Sequence, residues 1–286
     1  MRIRLLGITV LIGCMSMAQA DTVQTIDVGQ LAFTPETDGV LSEWQAQKPY
    51  NVKITPAIKD DDENETGTLE VEFWIGVSNG IIHVAARWPD DNADTDFRPW
   101  EWRGGKYRRS KKRDDMFALR FAKSGEYNRS MIADANYEAD VWVWSAGRSN
   151  LVGKASDQIH RITLKITENA AEYETESGKT VYIDRNTDAG SVGYDTKKVG
   201  KVKTESRLPS IDISGDASGS AADVSARGIW ADGFWSLEMQ RALDTGHSDD
   251  VKLSAAQEIL GQIAVFNKNG SQHKSVSELL LFKFAK

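Results

Sequence analysis

Apolar and polar residues alternate along most of this chain with the period of two expected of a half-buried strand. The alternation recurs in short runs at Tyr50–Ile58, Leu69–Val77, Ile81–Trp88, Met116–Ala122 and Ala139–Trp144. It continues at Ile159–Ile166, Thr180–Ile183, Ile229–Met239, Ile263–Phe266 and Val276–Phe284. Turn-forming stretches separate the runs, and Asn79-Gly80 between two of them carries a hairpin signal. Many short strands of this kind predict an all-β sandwich or barrel. One segment fits a helix instead: within Val251–Gly261, the residues Leu253, Ala256, Ile259 and Leu260 share a face. Ser214–Ala222 is small and polar, the composition of a mobile loop or linker. The strands after it read as completion of the same sandwich, so residues 21–286 are taken as one domain.

The most informative stretch is Met131–Asn150. Its second half, Asp140-Val-Trp-Val-Trp-Ser-Ala-Gly, puts Val141 and Val143 on one face and Trp142 and Trp144 on the other. Two neighbouring indoles build a wide apolar wall, suited to a core layer or to one side of a flat ligand's pocket. Met131, just upstream, is a thioether that can pack or ligate a metal.

Composition narrows the class. The chain has 286 residues, 40% hydrophobic and 27% charged, as soluble globular proteins do. Arg2 and Arg4, an apolar run from Leu5 to Met17, and Ala18-Gln19-Ala20 have the layout of a signal peptide over residues 1–20. The run is too short for a transmembrane helix, and the expected location is the periplasm. Leu11-Ile12-Gly13-Cys14 offers an alternative, a lipoprotein box that would leave Cys14 lipidated. Cys14 is the one cysteine, so cleavage after Ala20 leaves no disulfide, thiolate site or covalently attached haem. Without Arg2 and Arg4 the chain keeps 33 basic against 42 acidic residues, a net charge of −9 that disfavours nucleic acid as a partner.

Within that acidic chain, Arg103–Arg113 packs seven basic residues into RGGKYRRSKKR. It is a solvated loop, a docking face for an acidic redox partner, or an anchor for anionic groups such as carboxylates on a cofactor. Lys59–Glu65 and Pro89–Asp96 are acidic and read as solvated turns, since neither has the glycine and glutamate of an EF-hand loop. No zinc-hydrolase, P-loop, dinucleotide or nucleophile-elbow motif is present. A catalyst is therefore less well supported than an accessory protein. Of the four histidines, His83 reads as a core residue and His160 and His247 as surface residues. His273 stands with Lys274 in a turn between two C-terminal strands, where an imidazole or a neutral amine could reach a cavity and bind iron. In an extended segment these neighbours point to opposite faces, so only one of them can be the ligand.

Several blocks, in order, resemble the haem-binding family related to the gamma subunit of ethylbenzene dehydrogenase. They begin with Asp38-Gly-Val-Leu-Ser-Glu-Trp44, Val84-Ala-Ala-Arg-Trp-Pro-Asp90 and Arg113-Asp-Asp-Met-Phe-Ala-Leu119. Asp140-Val-Trp-Val-Trp-Ser-Ala-Gly-Arg148, Gly233-Phe-Trp-Ser-Leu-Glu238 with Arg241-Ala-Leu243, Ile263-Ala-Val-Phe266 and Lys274-Ser-Val-Ser277 follow. The family includes electron-transfer subunits of dimethylsulfide dehydrogenase, chlorate reductase and selenate reductase. The resemblance implies a DOMON-like β-sandwich holding one non-covalent haem b between an axial methionine and an axial lysine. Carried onto this chain, the sulfur falls at Met131, with Met116 as the weaker alternative, and the amine at Lys274. His273 competes with Lys274, because iron favours imidazole. Trp142, Trp144 and Phe266 are the expected walls of the slot. The chain also resembles type 9 carbohydrate-binding modules, which share the Asp-Gly-x-Leu opening and the Gly-x-Trp strand. That alternative implies a haem-free binding module with exposed aromatics such as Trp100 and Trp102, and a family member that has lost haem is a third.

Overall fold

A computed structural model describes residues 23–270 and 273–286. The expected signal peptide and Cys14 lie outside the described residues. The first half of the chain supplies β1 (Gln24–Gln30), β2 (Tyr50–Pro56), β3 (Leu69–Ser78) and β4 (Ile81–Pro89). A small hairpin, β5 (Trp100–Arg103) and β6 (Lys106–Arg109), precedes the long strands β7 (Met116–Gly125) and β8 (Tyr137–Ser145). Next come β9 (Ser156–Thr163), β10 (Ala171–Glu174) and β11 (Thr180–Thr187), then the short strands β12 (Tyr194–Thr196), β13 (Arg207–Leu208) and β14 (Ile211–Ile213). The chain ends with β15 (Ser225–Ala231), β16 (Phe234–Ala242), β17 (Glu258–Phe266), β18 (Ser275–Ser277) and β19 (Leu280–Phe284).

Most of these strands form one continuous ladder in the order β10-β11-β9-β8-β7-β17-β18-β2-β3-β4-β16-β15, with β1 and β19 tying β3 to β17. Pairing is antiparallel except where β1 runs parallel to β19 and β3. The ladder doubles over on itself, so β7 and β8 lie across from β4 and β16. Trp88 of β4 stacks on Phe117 of β7 at 5.4 Å, and Trp144 of β8 meets Trp235 of β16 edge-on at 5.0 Å. Strands that share no hydrogen bonds but share rings are the two layers of a sandwich. Its core takes Phe117, Leu119 and Phe121 from β7, and Val71, Phe73, Ile75 and Val77 from β3. The fold is thus all-β, as the alternation predicts.

Two of the blocks that carry the family resemblance meet here. Glu238 of β16 accepts hydrogen bonds from the Gly39 amide at 2.8 Å and the Trp44 indole at 2.8 Å. The Asp38–Trp44 segment is thereby pinned to the sandwich, with Trp44 fully buried.

Two local expectations need correction. Val251–Gly261 is no helix: Glu258–Phe266 is strand β17, and Ala256 sits at φ 59° in the turn before it. The period of two in Ile259, Gly261, Ile263 and Val265 prevails because those positions face the core, where Phe282 leaves no room for a β-carbon at Gly261. Nor is Ser214–Ala222 wholly a loose linker. Ser220–Ala222 forms a short 3-10 turn whose three residues are buried.

One end of the core is polar. Arg241 of β16, fully buried, donates to Asp140 at 2.8 Å and Asp157 at 3.1 Å and lies 3.1 Å from Asp250. A buried cation so paired holds β16 against β8 and β9, and its removal strands buried carboxylates. Arg241→Met should therefore lower unfolding stability by about 3–5 kcal/mol. Urea unfolding of the variant checks this; an unchanged midpoint would mean the cluster does not tie the layers together.

Candidate functional site

The same pleat that fills the core gives β7, β8 and β17 a second apolar face. Ala118, Val141, Ala264 and Phe266 point away from the sandwich and belong to a separate apolar cluster. Small and β-branched side chains cannot fill the space above this face, and a cavity of about 370 Å³ remains. Such a volume lies within the range of roughly 300–1,000 Å³ common for small-molecule sites.

The connection between β7 and β8 covers the cavity. Arg120 of β7 donates to the main-chain oxygens of Asn128 at 3.0 Å and Arg129 at 2.7 Å, and to Gln262 and Tyr137. Asn128 Oδ1 accepts from the Ser130 amide and Ser130 Oγ from the Ile132 amide, so the chain turns over on itself. Met131 is carried by this turn and lines the cavity, half-buried.

Lys274 lines the same cavity. The Ala57 amide donates to its main-chain oxygen at 2.8 Å, extending the pairing of β18 with β2 by one residue. Lys274 therefore shares the outward face with Val276, while Ser275 and Ser277 turn inward. Its amine lies 5.6 Å from the centre of the Phe266 ring. Burial, with Arg120 and Arg185 nearby, pulls its pKa down to about 7. A neutral amine is thus accessible at ordinary pH.

His273 faces the other way. Its Nδ1 lies 3.0 Å from each Asp61 carboxylate oxygen and its Nε2 3.4 Å from Glu63. The acidic loop at residues 59–65 holds the imidazole, so His273 does not line the cavity. Adjacent residues of an extended chain cannot both reach it, and the backbone register assigns the cavity to the lysine.

Three further placements differ from expectation. Trp142 and Trp144, expected as slot walls, are 0% exposed within the sandwich core, and Val141 and Val143 line the cavity instead. The bulky indoles fill the wide space between layers. Of the three expected walls, Phe266 alone faces the cavity. His160, expected at the surface, is buried against the cavity on β9. Its Nε2 lies 2.9 Å from Gln158 Oε1, its Nδ1 has no hydrogen-bond partner, and desolvation holds its pKa well below the usual value. Alternation with Ile159 and Ile162 was the available signal, but the cover over its face comes from distant segments. Met116 also lines the cavity, with its sulfur 2.9 Å from the Arg148 guanidinium, which in turn pairs with Asp114.

The remaining candidates lie elsewhere. Trp100 and Trp102 are half-buried on the β5–β6 hairpin, with Arg109 over the first ring and Tyr107 edge-on to the second. The basic stretch 103–113 contains β6, and Arg103, Lys106, Arg108, Lys111 and Lys112 are exposed. No helix of the described residues is long and apolar enough to cross a membrane.

The cavity thus combines apolar walls, a thioether, a depressed amine and a buried imidazole. These are nitrogen and sulfur donors of the kind that hold iron or copper, beside a second thioether, Met116, and one carboxylate, Glu174, in the lining. Arg129, Arg148 and Arg185 also line it and can receive anionic groups.

No curated protein matches the chain significantly. Among solved structures, a family 9 carbohydrate-binding module from Caldicellulosiruptor kristjanssonii, in complex with glucose, is 9% identical with a TM-score of 0.39. That alignment covers 92% of this chain and 97% of the module. A second, titled a putative carbohydrate-binding protein, comes from Bacteroides uniformis and is 11% identical with a TM-score of 0.41. It covers 92% of this chain and 100% of its own. A family model described as ethylbenzene dehydrogenase matches residues 41–277, and the chain belongs to that family.

Proposed function

We propose that the outer cavity holds one non-covalent haem b between Met131 and Lys274, and that the protein carries electrons as an exported accessory subunit of an oxidoreductase. The observation that supports this best is the buried Lys274 amine, brought to about 7 in the cavity that Met131 also lines. A lysine can donate a lone pair to a metal only when neutral, and burial at an apolar wall favours that form. Haem supplies one-electron exchange when bound.

The chain's own residues do the rest. Ala118, Val141, Val143, Ala264 and Phe266 give a flat apolar floor that excludes water. Arg120, through its bonds to the Asn128 and Arg129 main chain, fixes the turn that aims Met131. Arg185 offers a guanidinium group for a propionate carboxylate, beside Arg129 and Arg148, which already pair with Glu278 and Asp114. A thioether donor raises the potential of the iron it binds, which suits an acceptor of electrons from a partner enzyme. In this reading the exposed basic residues of 103–113 form the face presented to an acidic redox partner. In this reading the protein is an electron carrier serving a partner enzyme.

Purified full-length protein should show a Soret band and sharp α and β bands after dithionite reduction. Met131→Ala and Lys274→Ala should each lose the six-coordinate low-spin spectrum, while His273→Ala keeps it. A colourless protein that also takes up no added hemin would remove the haem reading. Loss of the spectrum in His273→Ala, with retention in Lys274→Ala, would reassign the nitrogen ligand.

The depressed lysine gives a second expectation. Below its pKa the amine is protonated and must lose a proton to ligate, so hemin uptake by the apoprotein should weaken as pH falls through about 7. The expected slope is about tenfold per pH unit below that point. Titrations between about pH 5.5 and 8 check this; a pH-independent affinity that Lys274→Ala leaves unchanged would exclude the amine.

A further inference from the structure

On the opposite side of β8 and β9 from the cavity, the core ends in a dense group of carboxylates. Asp140, Asp157, Asp188, Asp223, Asp249 and Asp250 gather around one guanidinium, Arg241, and one imidazole, His247. Arg241 is spent on Asp140, Asp157 and Asp250, and His247 Nδ1 lies 2.7 Å from Asp223. Asp188 and Asp249 have no cation of their own among these contacts.

Asp188 is the member that needs explaining. It is 6% exposed, at the end of β11, where its amide donates to the Asp157 main-chain oxygen at 3.1 Å. Neither carboxylate oxygen receives a hydrogen bond of good geometry; the Ile159 amide gives it only weak help. Leaving a buried carboxylate without donors is costly, and a second carboxylate beside it adds repulsion. Burial, Asp249 and Asp250 together push Asp188 up to about 7. One oxygen from each of Asp188, Asp249 and Asp250 lies within 4.8 Å of the others. A cation with oxygen ligands at about 2.3–2.6 Å fits between oxygens so spaced.

We propose that Asp188, Asp249 and Asp250 form a calcium site that closes this end of the sandwich. Calcium fits better than magnesium, because the carboxylates come from two segments, Asp188 at the end of β11 and the consecutive Asp249 and Asp250, and do not impose an octahedron. It supplies the positive charge that Arg241 and His247 leave short. The ion would join the end of β11 to the loop at residues 244–251, two segments already linked by the Ala189 amide, which donates to Asp249 Oδ2 at 3.5 Å, and by Ser220, which donates to Asp249 Oδ2 at 2.8 Å and to the Ala189 main-chain oxygen at 3.3 Å. Its role is structural: it stabilises the folded chain wherever calcium is plentiful.

The test uses the full chain, stripped with EDTA and titrated with calcium chloride alone, by calorimetry and by thermal unfolding. One saturable site is expected, with Kd on the order of 10⁻⁴ M or tighter. At about a hundredfold excess over Kd, Tm should rise by roughly 5–10 °C. Asp188→Asn and Asp249→Asn should each weaken binding at least about tenfold and shrink the Tm rise. In EDTA, Asp188→Asn should melt higher than the native chain, since it removes a repelled carboxylate; loss of a purely structural contact would lower it. Asp249 is only half-buried, so its variant tests the site should Asp188→Asn not fold. No saturable heat or Tm shift up to about 10 mM calcium would overturn the site. So would an equal response to magnesium, or calcium binding that both variants leave intact, which would place the ion on another acidic loop.

Discussion

The pleat of β7, β8 and β17 is the constraint on which the rest of the molecule depends. Each strand is apolar on both faces, yet the two faces carry side chains of different size. Phe117, Leu119, Phe121, Trp142 and Trp144 face inward, where two layers about 10 Å apart require bulk to fill the gap. Ala118, Val141 and Ala264 face outward, where a single loop and a few segment ends supply the cover. Large residues close one side and small residues leave a cavity on the other. The binding site is therefore a consequence of packing the core well, because the residues that build both alternate along the same strands.

Charge is sorted by the same sheet. Lys274, Arg120, Arg148 and Arg185 line the outer cavity, whereas Asp140 and Asp157 of β8 and β9 point to the inner face and meet Arg241. Neither side is neutralised in place by an equal number of opposite charges. The outer side depresses an amine and a histidine, and the inner side raises carboxylates such as Asp188 and Asp250. Buried groups shifted toward their neutral forms are poised to take a ligand that restores the missing interaction. On the outer face a metal that takes a lone pair would be such a ligand, and on the inner face a cation that takes oxygen.

Much of this was legible in the sequence. Alternation identifies nearly every long strand, because successive side chains of a strand point to opposite faces and a core on one face imposes a period of two on the sequence. The family resemblance points to Met131 and Lys274 as donors and Phe266 is an expected slot wall, and all three line one cavity. Two kinds of information were missing. Alternation in Asp140–Trp144 separates two faces without saying which is the core, so the conspicuous indoles drew attention from the valines that line the site. Burial that comes from distant chain is equally invisible, which is why His160 read as a surface residue. The turn at Ala256 shows a third limit: a short apolar stretch fits both periods, and the ladder with β7 and β19 decides between them.

His273 and Lys274 are consecutive, yet one is bound into an acidic loop and the other opens into the cavity. Nothing in either side chain enforces that division; it is set by which peptide oxygen the Ala57 amide reaches. Sliding this segment by one position along β2 would exchange the amine for the imidazole while leaving every wall of the cavity on β7, β8 and β17 in place. The identity of the donor is thus stored in strand register. A shift of one residue in this register would bring the imidazole to the cavity without any change to the residues that line its floor.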